Sequence, residues 1–139
     1  MAIKISASYD SFRELRESGS YYVDKTDFIE EYLLNKFDKA VIFTRPRRFG
    51  KTLTMTMLRD FLDVRQDSRE IFEGLNIMDC HEAVDGYMNK YPVIFLSLKE
   101  IYGTDFEEAY QALSIAVSKL CEENSFLAED TSKNISEAS

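Results

Sequence analysis

Residues Thr44 to Thr52 read TRPRRFGKT, with an apolar run before them and an amphipathic run after. Such a stretch has the residue types of a phosphate-binding loop. In loops of this kind backbone N–H groups converge on an anion, a lysine reaches the terminal phosphates, and a Ser or Thr hydroxyl faces Mg²⁺. Gly50, Lys51 and Thr52 fill the last three places of the pattern G-x-x-x-x-G-K-[ST]. Arg45 stands where the first glycine belongs, so the Walker A motif is degenerate. Glycine there permits a positive φ and close approach to phosphate, which a bulky side chain forbids. Pro46 restricts Arg45 to extended backbone and removes one N–H donor. These features predict a loop that relies more on side-chain charge than on backbone contacts.

Arg45, Arg47, Arg48 and Lys51 fall within seven residues that contain no acid, in a chain of formal net charge -8. The local sign suits a nucleoside triphosphate. Charge-assisted hydrogen bonds worth about 1.5 to 3 kcal/mol each, with about 0.3 to 1 kcal/mol from a helix N-terminus, suffice for micromolar binding. The expected roles place the amides around Phe49 and Gly50 on the β-phosphate, Lys51 between the β and γ phosphates, and Thr52 on the metal. The plainer alternative is a solvated basic turn.

The elements that must position this loop are a strand before it and a helix after it. Ala40 to Thr44 (AVIFT) has the β-branched and aromatic composition of a strand buried on both faces. From Thr52 onward, Leu53, Met57, Leu58, Phe61 and Leu62 recur at helical spacing, predicting a helix from about Lys51 to Val64. Pro92 introduces a second expected strand, Val93 to Leu98. Strands alternating with helices imply an α/β fold with a parallel sheet flanked by helices, of the P-loop NTPase-like type.

The segments FREL (Phe12 to Leu15), YYVDKT (Tyr21 to Thr26), RPRRFGKT and YPVIFLSLK (Tyr91 to Lys99) occur in an order that resembles the AAA-ATPase-like family. These are bacterial ATP-binding proteins with a PD-(D/E)xK nuclease-like domain at the C-terminal end. The resemblance covers roughly residues 8 to 125 and the N-terminal part of the family only. It implies ATP and Mg²⁺ as ligands, with Gly50, Lys51 and Thr52 as phosphate and metal residues, and makes arginine at position 45 the family's usual form. Asp24 and Lys25 match the YVDKT motif. They read either as nucleotide contacts or as a helix cap and a solvated cation. The resemblance also implies a Walker B strand ending in Asp-Glu, and no run in this sequence supplies it convincingly. Lys99 follows the second strand directly, and Asp79 closes a short run interrupted by Asn76. The expectation is an incomplete P-loop domain over 1–127, lacking its C-terminal strands and not competent for hydrolysis by itself. Nucleic acid would be reached only indirectly, through the nuclease-like domain.

Length and composition fit one domain with an ordinary core, since 45% of the 139 residues are hydrophobic. No stretch approaches the roughly 20 apolar residues of a membrane span and the N-terminus lacks a signal-peptide core, so a cytoplasmic location is expected. Cys80 and Cys121 stand apart and suggest neither a disulfide nor a metal site. Residues 104–139 hold eight acids against Lys119 and Lys133, so no broad basic face for duplex DNA is visible.

Elsewhere, Ser11-x-x-Glu14 predicts a capped helix closed by Gly19, and Phe28, Ile29, Tyr32, Leu33 and Phe37 predict another. Ser68 to Gly74 reads as a helical turn, and Asp79 to Lys90 as a polar, weakly helical connection. Thr104 with Glu107 predicts a capping box for a long helix whose Phe106, Ala109, Tyr110, Leu113, Val117 and Leu120 face a core. Residues 128–139 read as a polar, disordered tail. An incomplete sheet edge predicts a homo-oligomer. The alternatives to nucleotide binding are a non-catalytic anion-binding or protein-interaction module and, third, a small P-loop kinase.

Overall fold

A computed structural model describes residues 9–35, 41, 50–99 and 101–128. The chain divides into two compact units, Met1–Val93 and Ile94–Ser139.

In the first unit, α1 (Phe12–Glu17) opens at Ser11, whose hydroxyl accepts the Glu14 N–H. It stops at Gly19, which takes the left-handed φ of 66° that a helix terminus of this kind needs. Next come α2 (Asp27–Leu34) and α3 (Lys51–Leu62), then α4 (Arg69–Phe72), a 3₁₀ turn (Asn76–Asp79) and α5 (His81–Tyr87). Phe12, Ile29, Met57, Phe61, Phe72 and Ile77 are essentially inaccessible to water and form the centre of the core. The Phe72 ring lies 4.9 Å from Phe12 and 5.3 Å edge-on from Phe61, so three helices meet on one aromatic cluster.

The connection expected over 79–90 is more ordered than its polarity suggests. Ala83, Val84 and Met88 enter the core, giving α5 a buried face that a short apolar pattern concealed.

The second unit contains α6 (Phe106–Glu123). Its cap lies one residue beyond the expected box: Asp105 accepts the Glu108 N–H at 2.9 Å. In return, Glu108 accepts the Thr104 N–H at 2.9 Å and the Thr104 hydroxyl at 2.7 Å. The expected core face is corrected as well, because α6 buries none of its residues and Phe106 and Tyr110 are 81% and 56% exposed. Helical spacing records which residues share a face, and says nothing of whether another element covers it.

The largest correction concerns fold class. The described residues are helical and contain no strand, so they do not form the α/β parallel sheet of a P-loop NTPase-like fold. Only an isolated parallel bridge joins Asp63 to Tyr91. Val93 to Leu98 forms no strand among the described residues, and Ile94, Leu96 and Leu98 are 64%, 45% and 63% exposed. Its composition favours a strand, but β propensity is realised only against cross-strand neighbours. Of the expected first strand only Val41 is described, outside any strand, and the rest of 40–44 lies outside the described residues. Of the tail expected over 128–139, Ala128 is described and helical, and 129–139 lies outside the described residues.

Candidate functional site

The sequence motif and the structure meet at the turn into α3. Gly50 is the N-cap, with φ 74° and ψ 26°, and the first intrahelical bond runs from the Thr54 N–H to the Gly50 carbonyl at 2.9 Å. The left-handed conformation costs an L-residue roughly 1 to 2 kcal/mol. Among the described residues an added Cβ would meet nothing within 4 Å, so it is the backbone conformation that favours glycine there.

The N–H groups of Lys51, Thr52 and Leu53 precede that first bond, as in any α-helix, and Gly50 has no side chain to cap them. No acidic residue occupies the first turn. Lys51 is exposed and Thr52 half-buried, on consecutive positions at the positive end of the helix. Arg45, Arg47, Arg48 and Phe49 lie outside the described residues.

The other end of α3 is closed completely. The Arg59 carbonyl accepts the Asp63 N–H at 2.9 Å, the Phe61 carbonyl the Asn89 N–H at 2.7 Å, and the Leu62 carbonyl the Tyr91 N–H at 2.9 Å. The Asn89 amide group donates to the carbonyls of Asp60 and Asp63 at 3.1 and 2.9 Å. Asn89 reaches them from φ 53°, a conformation asparagine tolerates better than most residues. Asp60 itself is fully buried, with one carboxylate oxygen held by Arg59 at 3.0 Å.

Thr56, one turn beyond Thr52, pins the helix from the side. Its hydroxyl accepts the Phe12 N–H at 3.1 Å and lies 3.1 Å from the Asp10 carbonyl and 3.0 Å from the Leu53 carbonyl, either of which takes its proton. Tyr22 makes a second lateral contact, donating to Met57 Sδ at 3.3 Å while accepting the Lys25 N–H at 3.3 Å. Burial raises the Tyr22 pKa against the opposing Lys25 hydrogen bond, so the hydroxyl keeps its proton and remains a donor.

The rest of YVDKT is tied to the 3₁₀ turn. Asp24 Oδ1 accepts the Thr26 N–H at 2.8 Å and the Thr26 hydroxyl at 2.6 Å, and Oδ2 accepts the Asn76 N–H at 2.7 Å. The Thr26 hydroxyl accepts in turn from the Ile77 N–H at 3.1 Å. Burial raises the Asp24 pKa, but the three hydrogen bonds outweigh it and hold the carboxyl below its ordinary value. Thr26 is the N-cap of α2, so Asp24 acts two residues ahead of the cap. Lys25 and Val23 are exposed.

No group of three or more His, Cys, Asp or Glu side chains placed to hold a metal occurs among the described residues. Asp79 is exposed at the end of the 3₁₀ turn. Thr52 is the candidate metal contact at the α3 turn. Sequence reasoning missed Thr56 and Asn89, and placed Met57 on the apolar face of the helix without its contact to Tyr22, since each acts on partners far away in the chain. Among the described residues no helix is long and apolar enough to cross a membrane.

No curated protein matches the chain, and no solved structure does. A family model described as "Predicted AAA-ATPase" matches residues 7–139, taking in the YVDKT segment, the Gly50–Thr52 turn and α6. The match says nothing of a nuclease domain. By this near-complete coverage the chain belongs to the AAA-ATPase-like family.

Proposed function

We propose that this chain binds ATP with Mg²⁺ at the turn into α3, within a protein of ATPase type acting in the cytoplasm. The observation that carries the reading is the asymmetry of α3. Among the described residues its C-terminal carbonyls are satisfied one by one, whereas its N-terminal end presents successive amides, a left-handed glycine, an exposed lysine and a threonine hydroxyl, with no acid nearby in sequence. Backbone N–H groups and a helix dipole attract phosphate oxygens, and Lys51 adds a full charge that follows the terminal phosphates. Thr52 supplies a neutral oxygen for the metal, and Arg45, Arg47 and Arg48 add charge to the same stretch of sequence. Hydrolysis would need an acidic pair to place the metal and the attacking water.

A second reading, a protein-interaction module, is favoured by the uncovered apolar face of α6, and self-association is one form it could take. Calorimetric titration of MgATP into the protein and its Lys51→Ala variant separates the two. The nucleotide reading expects micromolar affinity lost in the variant with melting behaviour retained; equal binding by both proteins, or by neither, removes it.

A further inference from the structure

We propose that Tyr22 is a positioning residue for the nucleotide-binding turn, acting through Met57 so that the YVDKT segment and α3 move as one body. The inference rests on the nucleotide reading for its functional consequence, and on geometry alone for the coupling. Tyr22 bridges two elements with one hydroxyl. Its proton goes to Met57 Sδ on α3, and its oxygen receives the N–H of Lys25. Its ring stands edge-on to Phe12 at 5.4 Å, which fixes the hydroxyl's direction from the core side. Two residues on, Asp24 and Thr26 bind the backbone N–H groups of Asn76 and Ile77.

The segment is thus clamped between the 3₁₀ turn and α3, with exposed Lys25 held between the two grips. Met57 is essentially inaccessible to water while Tyr22 is half-buried, so the contact ties a core side chain of α3 to the edge of the YVDKT segment. A rotation of α3 that carried Lys51 and Thr52 away from a phosphate would also carry Met57 off the hydroxyl. Holding Met57 therefore holds the turn.

Tyr22→Phe keeps the ring and removes the hydroxyl; Met57→Leu keeps the volume and removes the acceptor. Two readouts are needed: MgATP affinity well below the melting temperature, and hydrogen exchange of the Thr54 and Met55 amides, the first bonded ones in α3. The expected result is a threefold to tenfold loss of affinity in each single variant, no further loss in the double variant, and faster exchange at both amides. A role confined to core stability would lower the melting temperature and leave affinity and local exchange unchanged, which overturns the proposal. Additive losses in the double variant overturn it too. If the unaltered protein binds no MgATP, the functional reading falls, and the coupling is judged by exchange alone, with unchanged exchange in both variants rejecting it.

Discussion

The Thr56 hydroxyl accepts the N–H of Phe12 at 3.1 Å, joining the middle of α3 to the first residue of α1 across 44 positions. That N–H is one of the amides a helix start leaves without an internal partner, and here it is buried. Thr56→Val keeps the shape and strands the donor, so a destabilisation of about 1 to 3 kcal/mol is expected. Urea unfolding should show a lower midpoint with an unchanged slope, and Thr56→Ser should recover most of the loss. A midpoint equal to that of the unaltered protein would refute the link.

Asn89 serves as the far-end counterpart. Beyond its bonds to Asp60, Phe61 and Asp63, its side-chain oxygen accepts the Ser68 N–H at 3.1 Å, so one residue closes α3 and anchors the approach to α4. Asn89→Ala removes the side-chain bonds and keeps the left-handed backbone, with an expected loss of about 2 to 4 kcal/mol. Asn89→Gly should fare no worse than alanine, because glycine relieves the positive φ. Thermal melting of the pair provides the check, and a glycine variant clearly less stable than the alanine one would contradict the backbone argument.

Asp24 gives the fold an acid-sensitive joint. Its folded pKa lies below the ordinary value near 4, so it contributes stability above that value and loses the contribution as pH falls through the folded pKa. Asp63, held by Arg65 at 2.8 Å with its pKa likewise lowered against the raising effect of burial, acts in the same direction. Asp24→Asn should cost about 1 to 3 kcal/mol at neutral pH, because an amide cannot accept on both sides, and should flatten the decline below pH 4. Denaturation midpoints from pH 7 to pH 3 would show this; parallel curves for the two proteins would exclude it.

The two ends of the core scale are Phe72 and Phe106. Phe72→Ala removes the ring shared by Phe12 and Phe61 and should cost about 3 to 5 kcal/mol. Phe106→Ala, at an exposed position of α6, should change stability by less than about 0.5 kcal/mol. Comparable losses in both, measured by chemical denaturation, would mean that α6 packs against something after all.

Local signals made several of these elements legible. Ser11 with Glu14, and the spacing of Leu53, Met57, Leu58 and Phe61, specify α1 and α3 because capping and helical periodicity act within a few residues. The junction of Gly50, Lys51 and Thr52 was equally legible, since a left-handed glycine before a helix leaves a mark on composition. What escaped was long-range. Nothing around Asn89 announces that it will collect carbonyls from a helix that ended 27 positions earlier. Met57 carries no sign that its sulfur meets Tyr22. The runs at 93–98 and on α6 were expected as a strand and as a core face, but strand pairing and core burial depend on what lies beside them. Among the described residues, 93–98 forms no strand and α6 buries none of its side chains.

Val93 to Leu98 therefore has a second significance. Six residues with neither proline nor charge, with Ile94, Leu96 and Leu98 exposed, match the composition of segments that stack into cross-β fibrils. Lys99, directly behind them, stands where a gatekeeper charge would interrupt such stacking. The stretch with so strand-like a composition is thus also a candidate site for aggregation at high concentration.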